Sequence, residues 1–137
     1  MRGDGPLIAI GHSGGAAQLA LALSLQEGVV DEAILVSCPC DLNLWRLMNP
    51  QWSPDMLVRS VSATDVVPTD IQKVTILVGE DDDITPPEMS QSYSQHLSSA
   101  EISHSLTIVP GGDHAGNRAL SRAWLMAILA ARERVLD

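Results

Sequence analysis

Gly11-His12-Ser13-Gly14-Gly15 places a serine between glycines near the start of the chain. The pentapeptide fits G-x-S-x-G, in which a serine sits on a sharp strand-to-helix turn with its Oγ lifted clear of the sheet. Glycines suit such a turn because neighbouring backbone can pass closely where no Cβ intervenes. A helix starting at Gly14 would point backbone N–H groups at a developing oxyanion. The same five residues also fit a plain glycine-rich turn with a capping serine, or an anion-binding loop.

A serine hydroxyl is a weak nucleophile without a base. The chain has four histidines. His12 lies inside the turn, beside the serine in sequence and poorly placed to serve it. His96 reads as part of a surface-packed helix, and His104 sits in the polar linker "AEISHS". His114 stands in "IVPGGDHAG", a glycine-rich loop after an apolar run, on the same edge of a sheet as Ser13. A third group should orient the imidazole and stabilise its cation. "LVGEDDDITPP" offers Asp81, Asp82 and Asp83, and periodicity does not choose among them. A solvated acidic loop or weak cation binding is the other use of such a run.

These groups meet only if the elements between them form a sheet. Residues 7–10, 33–37 ("AILVS"), 74–78 ("VTILV") and 106–109 ("LTIV") are short apolar runs that read as buried strands. Helical stretches separate them. Residues 14–26 are rich in Ala and Leu, and Gly28 follows as a stop. Thr85-Pro86-Pro87-Glu88 reads as a capping box, followed by Met89, Tyr93 and Leu97 on one helix face. A last helix starts near Asn117, with Leu120, Trp124, Ile128 and Ala131 on one face. Strands alternating with helices predict an α/β fold with about four parallel strands and right-handed crossovers. Residues 39–72 break the rhythm. They read as a short, irregular, cap-like excursion with one small helix, signalled by Ser53-Pro54. It follows a strand's C-terminal end, where α/β sheets place ligands.

The bulk numbers fit this picture. A length of 137 residues suits one domain, 1–137, large enough to bury a core. Aromatics are 3% with no Phe, so the core must be built from Leu, Ile, Val, Ala and Met. A net charge of -9 argues against nucleic acid and anionic membrane surfaces as partners, since both need a basic patch. No apolar run approaches the roughly 20 residues of a membrane span, and the first ten residues lack a signal peptide's long apolar region. Cys38 and Cys40, in Cys-Pro-Cys, are too close for an ordinary disulfide and too few for a metal site. They read as reduced thiols, which suggests a cytoplasmic protein.

With these residues in view, the whole chain resembles the C-terminal half of an α/β-hydrolase of the esterase or prolyl-peptidase-like kind. "IAIGHSGGA" resembles that family's nucleophile elbow. "ILVGEDDDITPP" resembles its acid loop, G-x-x-D-x-x-[VT]-P, and the match falls on Asp82. "IVPGGDHAG" resembles its histidine loop, and the match falls on His114. The order Ser, Asp, His is also that of the α/β-hydrolases. The resemblance implies a reduced α/β-hydrolase fold and a Ser13–His114–Asp82 triad, with Gly14 N–H in the oxyanion hole and no cofactor or metal.

In a full member, several strands precede the elbow and bring the loop that donates a second oxyanion N–H. Here about six residues precede the first strand. The expectations are a half-built oxyanion hole and a bare apolar edge at residues 7–10. Such an edge invites pairing, so a homodimer with two antiparallel elbow strands is expected. Leu42, Leu44, Trp45, Met48, Trp52, Met56 and Leu57 supply an apolar wall for a substrate; ordinary packing is the other use of the same residues. Three functions are compatible with these features. One is hydrolysis of small, short-chain carboxylic esters through an acyl-enzyme. Another is peptidase, thioesterase or acyltransferase chemistry on the same residues. The third is a catalytically weak, truncated oligomerising module.

Overall fold

Four parallel strands pair in sequential order in the computed structural model, which describes residues 4–51 and 60–137. They are β1 (Ile8–His12), β2 (Glu32–Val36), β3 (Lys73–Gly79) and β4 (His104–Val109). Register pairs Ile10 with Ile34, Ile34 with Thr75, and Thr75 with Ser105. β2 is buried at every position. That is why its sequence is continuously apolar after Glu32 rather than alternating.

The helices among the described residues are α1 (Gly14–Leu25), α2 (Leu42–Met48), α3 (Pro87–Ser99) and α4 (Arg118–Leu136), with a short 3-10 turn at Ala63–Asp65. Right-handed crossovers between strands added in one direction must lie on one face of the sheet. Accordingly, Ala16 and Ala20 of α1 and Tyr93 and Leu97 of α3 share a core with Leu35, Val74 and Ile76. α4 follows the last strand and covers the opposite face. There Leu120 and Ala131 pack with Ile34, Val36, Leu77 and Val109. At the margin of that layer the exposed Arg134 donates two hydrogen bonds of 2.8 Å to Glu32, whose carboxylate is buried at the start of β2.

One helix is too narrow to cover four strands. Ile10 on β1 and Ile108 on β4 remain exposed at the two margins, and among the described residues β1 pairs only with β2. No helix among the described residues is long and apolar enough to cross a membrane.

Three local expectations need correction. Cys38 and Cys40 are joined in a disulfide, both buried, with Cα atoms 5.1 Å apart. That spacing is within ordinary disulfide reach, so one intervening residue is enough here, and the thiol argument for a cytoplasmic setting falls away. Thr85 does not cap α3: the cap position is Pro86, without a side-chain bond, because the Thr85 hydroxyl is used elsewhere. The excursion contributes α2, capped by Asp41 through the N–H groups of Asn43 and Leu44. The helix start at Ser53-Pro54 lies outside the described residues, as do Trp52, Met56 and Leu57.

Candidate active site

β1 ends at His12, and the chain turns into α1 through a single residue. That residue, Ser13, has φ 53° and ψ −124°. Positive φ is uncommon for a residue with a Cβ and costs on the order of 1–3 kcal/mol. The surrounding bonds hold it. Ser13 N–H donates to Val36 O at 2.9 Å, and Ser13 O accepts from Ala16 and Ala17 N–H. A Cβ on Gly11 would sit 2.6 Å from Ala16 Cα and 2.7 Å from Gly15 O, so the first glycine of the motif permits the strand and helix to approach. The second, Gly15, has nothing within 4 Å of a built Cβ. The expected steric need therefore holds at Gly11 and not at Gly15.

The acid and histidine loops leave the same edge of the sheet. They touch where Gly79 meets Gly112, and a Cβ on Gly79 would run into the Gly112 backbone. Asp81 N–H donates to Gly112 O at 2.9 Å and ties the loops together. The next turn is closed by Asp113, whose Oδ1 accepts from Gly116 and Asn117 N–H at 2.9 Å each. Those backbone donors, Asn117 first, hold the half-buried Asp113 carboxyl below its usual range. Asn117 then caps α4 through Leu120 N–H.

This scaffold brings Ser13, His114 and Asp82 into line. His114 Nε2 lies 3.0 Å from Ser13 Oγ. His114 Nδ1 lies 3.1 and 3.0 Å from the two oxygens of Asp82. Among the three adjacent aspartates, only Asp82 is buried, while Asp81 and Asp83 are exposed. Asp82 Oδ1 accepts from Ile84 N–H at 3.0 Å and Thr85 N–H at 2.7 Å. Two backbone donors thus orient one carboxylate toward one ring nitrogen. With Nδ1 protonated and donating to Asp82, Nε2 is left as an acceptor for the serine hydroxyl.

Two supporting residues were missed from the sequence. The Thr85 hydroxyl lies 2.9 Å from Asp82 Oδ2, 3.0 Å from Ser37 O and 3.1 Å from His114 Nδ1. Its place in a Thr-Pro-Pro run reads locally as a cap; only the partner strand shows otherwise. His12 donates from Nε2 to His114 O at 2.8 Å, and its ring stacks on Trp124 at 5.5 Å. It fixes the histidine loop from the adjoining strand, a role that chain order alone does not reveal. His96 and His104 are used elsewhere, on Val66 O and on Ser94 and Ile102 O.

Gly14, the first residue of α1, is exposed beside Ser13, and its N–H makes no hydrogen bond among the described residues. α2 follows the C-terminal end of β2, on this edge of the sheet. It buries none of its residues: Leu42 and Trp45 are half-buried and Met48 is exposed.

No protein-family model matches the chain. No curated protein matches its sequence. Solved structures do match. Est1E from Butyrivibrio proteoclasticus is similar at 18% identity and TM-score 0.75, over 96% of this chain and 62% of that one. A Mycobacterium tuberculosis puromycin-hydrolyzing peptidase is similar at 20% identity and TM-score 0.77, over 95% of this chain and 22% of that one. Dipeptidyl peptidase 4 of Porphyromonas gingivalis is similar at 20% identity and TM-score 0.71, over 90% and 18%. The chain therefore spans less than two thirds of each of these relatives. At such identities the likeness speaks for the backbone: the four parallel strands and their flanking helices are a reduced α/β-hydrolase fold, shared with esterases and peptidases of that superfamily.

Proposed function

We propose that the chain is a serine hydrolase acting on small, short-chain carboxylic esters. The observation that supports this reading best is the line of contacts from Ser13 Oγ through His114 to Asp82, at 3.0 Å and 3.0–3.1 Å, built on a serine held at φ 53°. In this reading Ser13 Oγ attacks the ester carbonyl carbon while its proton passes to His114 Nε2. Asp82 stabilises the imidazolium, and Gly14 N–H donates to the oxyanion. The tetrahedral adduct collapses, the C–O bond to the alcohol breaks, and His114 returns the proton to the leaving oxygen. Water, deprotonated by His114, then attacks the acyl-Ser13 ester. A second collapse releases the acid and restores the serine.

Leu42, Trp45 and Met48 of α2 are proposed as the apolar wall for the acyl or alcohol group, with Trp52 beyond them in the sequence. The test is hydrolysis of p-nitrophenyl acetate and butyrate by the wild type and Ser13→Ala. Activity that depends on Ser13 supports the reading, and activity that survives the substitution sinks it. A second reading, amide hydrolysis on the same residues, is favoured by the peptidases among the structural neighbours. Rates on peptide anilides that rival those on matched aryl esters would establish it.

A further inference from the structure

Because α4 does not reach across the whole sheet, an open cavity of about 320 Å³ lies between α4 and the strands β3 and β4. It is not lined by Ser13, Asp82 or His114. Its apolar wall is Leu77 with Ala123, Met126, Ala127 and Ala130. Its polar wall is a row of hydroxyls on one face of the two strands: Thr75, its register partner Ser105, and Thr107 opposite Leu77. Two cations complete the lining, Lys73 and Arg134, and no acid does. Arg134 commits Nε and Nη2 to Glu32, and its Nη1 has no hydrogen-bond partner among the described residues. Lys73 makes no ion pair among the described residues. The Arg134 charge is balanced by Glu32, so Lys73 is the lining's cation without an ion pair among the described residues, in a chain of net charge -9.

Thr75 supplies an independent pointer. It is 7% exposed, and its Oγ1 is buried with no hydrogen-bond partner among the described residues. A buried hydroxyl without a partner destabilises the fold that holds it, whereas Val would fit the same strand position.

We propose that this cavity is a binding site for a small amphipathic carboxylate, separate from the Ser13 site. The carboxylate accepts from Lys73 Nζ, Arg134 Nη1 and the Thr75 hydroxyl. The short apolar tail lies along Leu77, Met126 and Ala127. The proposal does not depend on the chain being a hydrolase.

The test is a titration of ¹⁵N-labelled protein with sodium hexanoate, with 1-hexanol and hexyltrimethylammonium in parallel. Hexanoate should give saturable millimolar shifts at the amides of Thr75, Thr107 and Ala127, with those of the 113–116 loop unmoved. Hexanol and the cation should bind about tenfold more weakly or worse, and Lys73→Gln should weaken hexanoate about tenfold, as loss of a charge-assisted bond does. Thr75→Val should weaken hexanoate several-fold while melting no lower than the wild type, which a merely structural hydroxyl would not do. Equal binding of hexanol, shifts centred on the 113–116 loop, or no saturation in the millimolar range would each overturn the proposal. So would hexanoate affinity unchanged in Lys73→Gln.

Discussion

The backbone at Ser13 makes a prediction about stability that is separable from chemistry. Ser13→Ala keeps the Cβ and therefore the strained turn, but loses the hydroxyl that meets His114 at 3.0 Å. Ser13→Gly loses the hydroxyl and also the Cβ. The difference between the two variants isolates the cost of holding a Cβ at φ 53°, ψ −124°. Strain there is worth about 1–3 kcal/mol. Glycine gives back about 0.5–1 kcal/mol through its freer unfolded chain. Ser13→Gly should therefore exceed Ser13→Ala in stability by about 0.5–2 kcal/mol. For a 137-residue chain the unfolding entropy is about 0.3 kcal/mol/K, so the gap in Tm is about 2–7 °C. Urea and thermal denaturation of the two purified variants measure it directly, and both should lack esterase activity. If Ser13→Gly melts at or below Ser13→Ala, the turn is not strained and the elbow reading loses its physical basis.

Further predictions follow from other close contacts. Gly79→Ala should push the histidine loop off the acid loop, costing about 1–3 kcal/mol and most of the activity, because the new Cβ meets Gly112 backbone. Gly15→Ala should instead stabilise the fold by about 0.5–1 kcal/mol, since nothing lies within 4 Å of its Cβ; denaturation and p-nitrophenyl acetate assays check both. Arg134→Met leaves the Glu32 carboxylate buried without its partner and should cost about 3–5 kcal/mol, most of it recovered when Glu32→Met is added. Burial pushes the Tyr93 phenol well above its usual range, and its hydroxyl has no partner among the described residues. Above pH about 10 the unfolded chain releases a proton that the folded chain retains, so stability falls as pH rises. Tyr93→Phe should be no less stable at neutral pH and should lose that part of the alkaline slope, read from urea midpoints at about pH 8 and about pH 11.

What the sequence shows plainly is whatever a local rule governs. The apolar runs ending in Val36 and Gly79 are legible because buried parallel strands are apolar almost throughout, whereas the run ending in Val109 is a partly exposed edge strand in which only Val109 is buried. The faces Met89–Tyr93–Leu97 and Leu120–Trp124–Ile128–Ala131 are legible because each packs one helix on one side of the sheet. Long-range choices are not legible in this way. Asp82 differs from Asp81 and Asp83 only through burial and through Thr85, whose hydroxyl also reaches Ser37 O at the end of β2. Thr85-Pro86-Pro87-Glu88 satisfies the local rule for a cap, yet a stronger set of partners claims the threonine. The disulfide between Cys38 and Cys40 was likewise judged by sequence separation, while reach is set by how the backbone bends between them.

The topology explains why those long-range choices gather at one place. With every strand parallel and paired in sequential order, the loops after β1, β2, β3 and β4 all leave the same edge of the sheet. Ser13, Ser37, Asp82 and His114 each stand one to five residues beyond a strand end. Such residues are released from the ladder's own bonds and are free to bond one another. Two of them, Ser13 and Ser37, have positive φ, at 53° and 51°, and the Ser37 hydroxyl is buried without a partner among the described residues. Positive φ is not confined to this edge, since Asp70 and Glu101, before β3 and β4 at the other end of the sheet, have φ 51° and 58°; what sets Ser13 apart is that its strained turn carries the hydroxyl that meets His114. Strain of that kind persists only where the surrounding packing holds it. The Ser13→Gly comparison therefore reads the strain at the one residue whose hydroxyl the loop histidine meets.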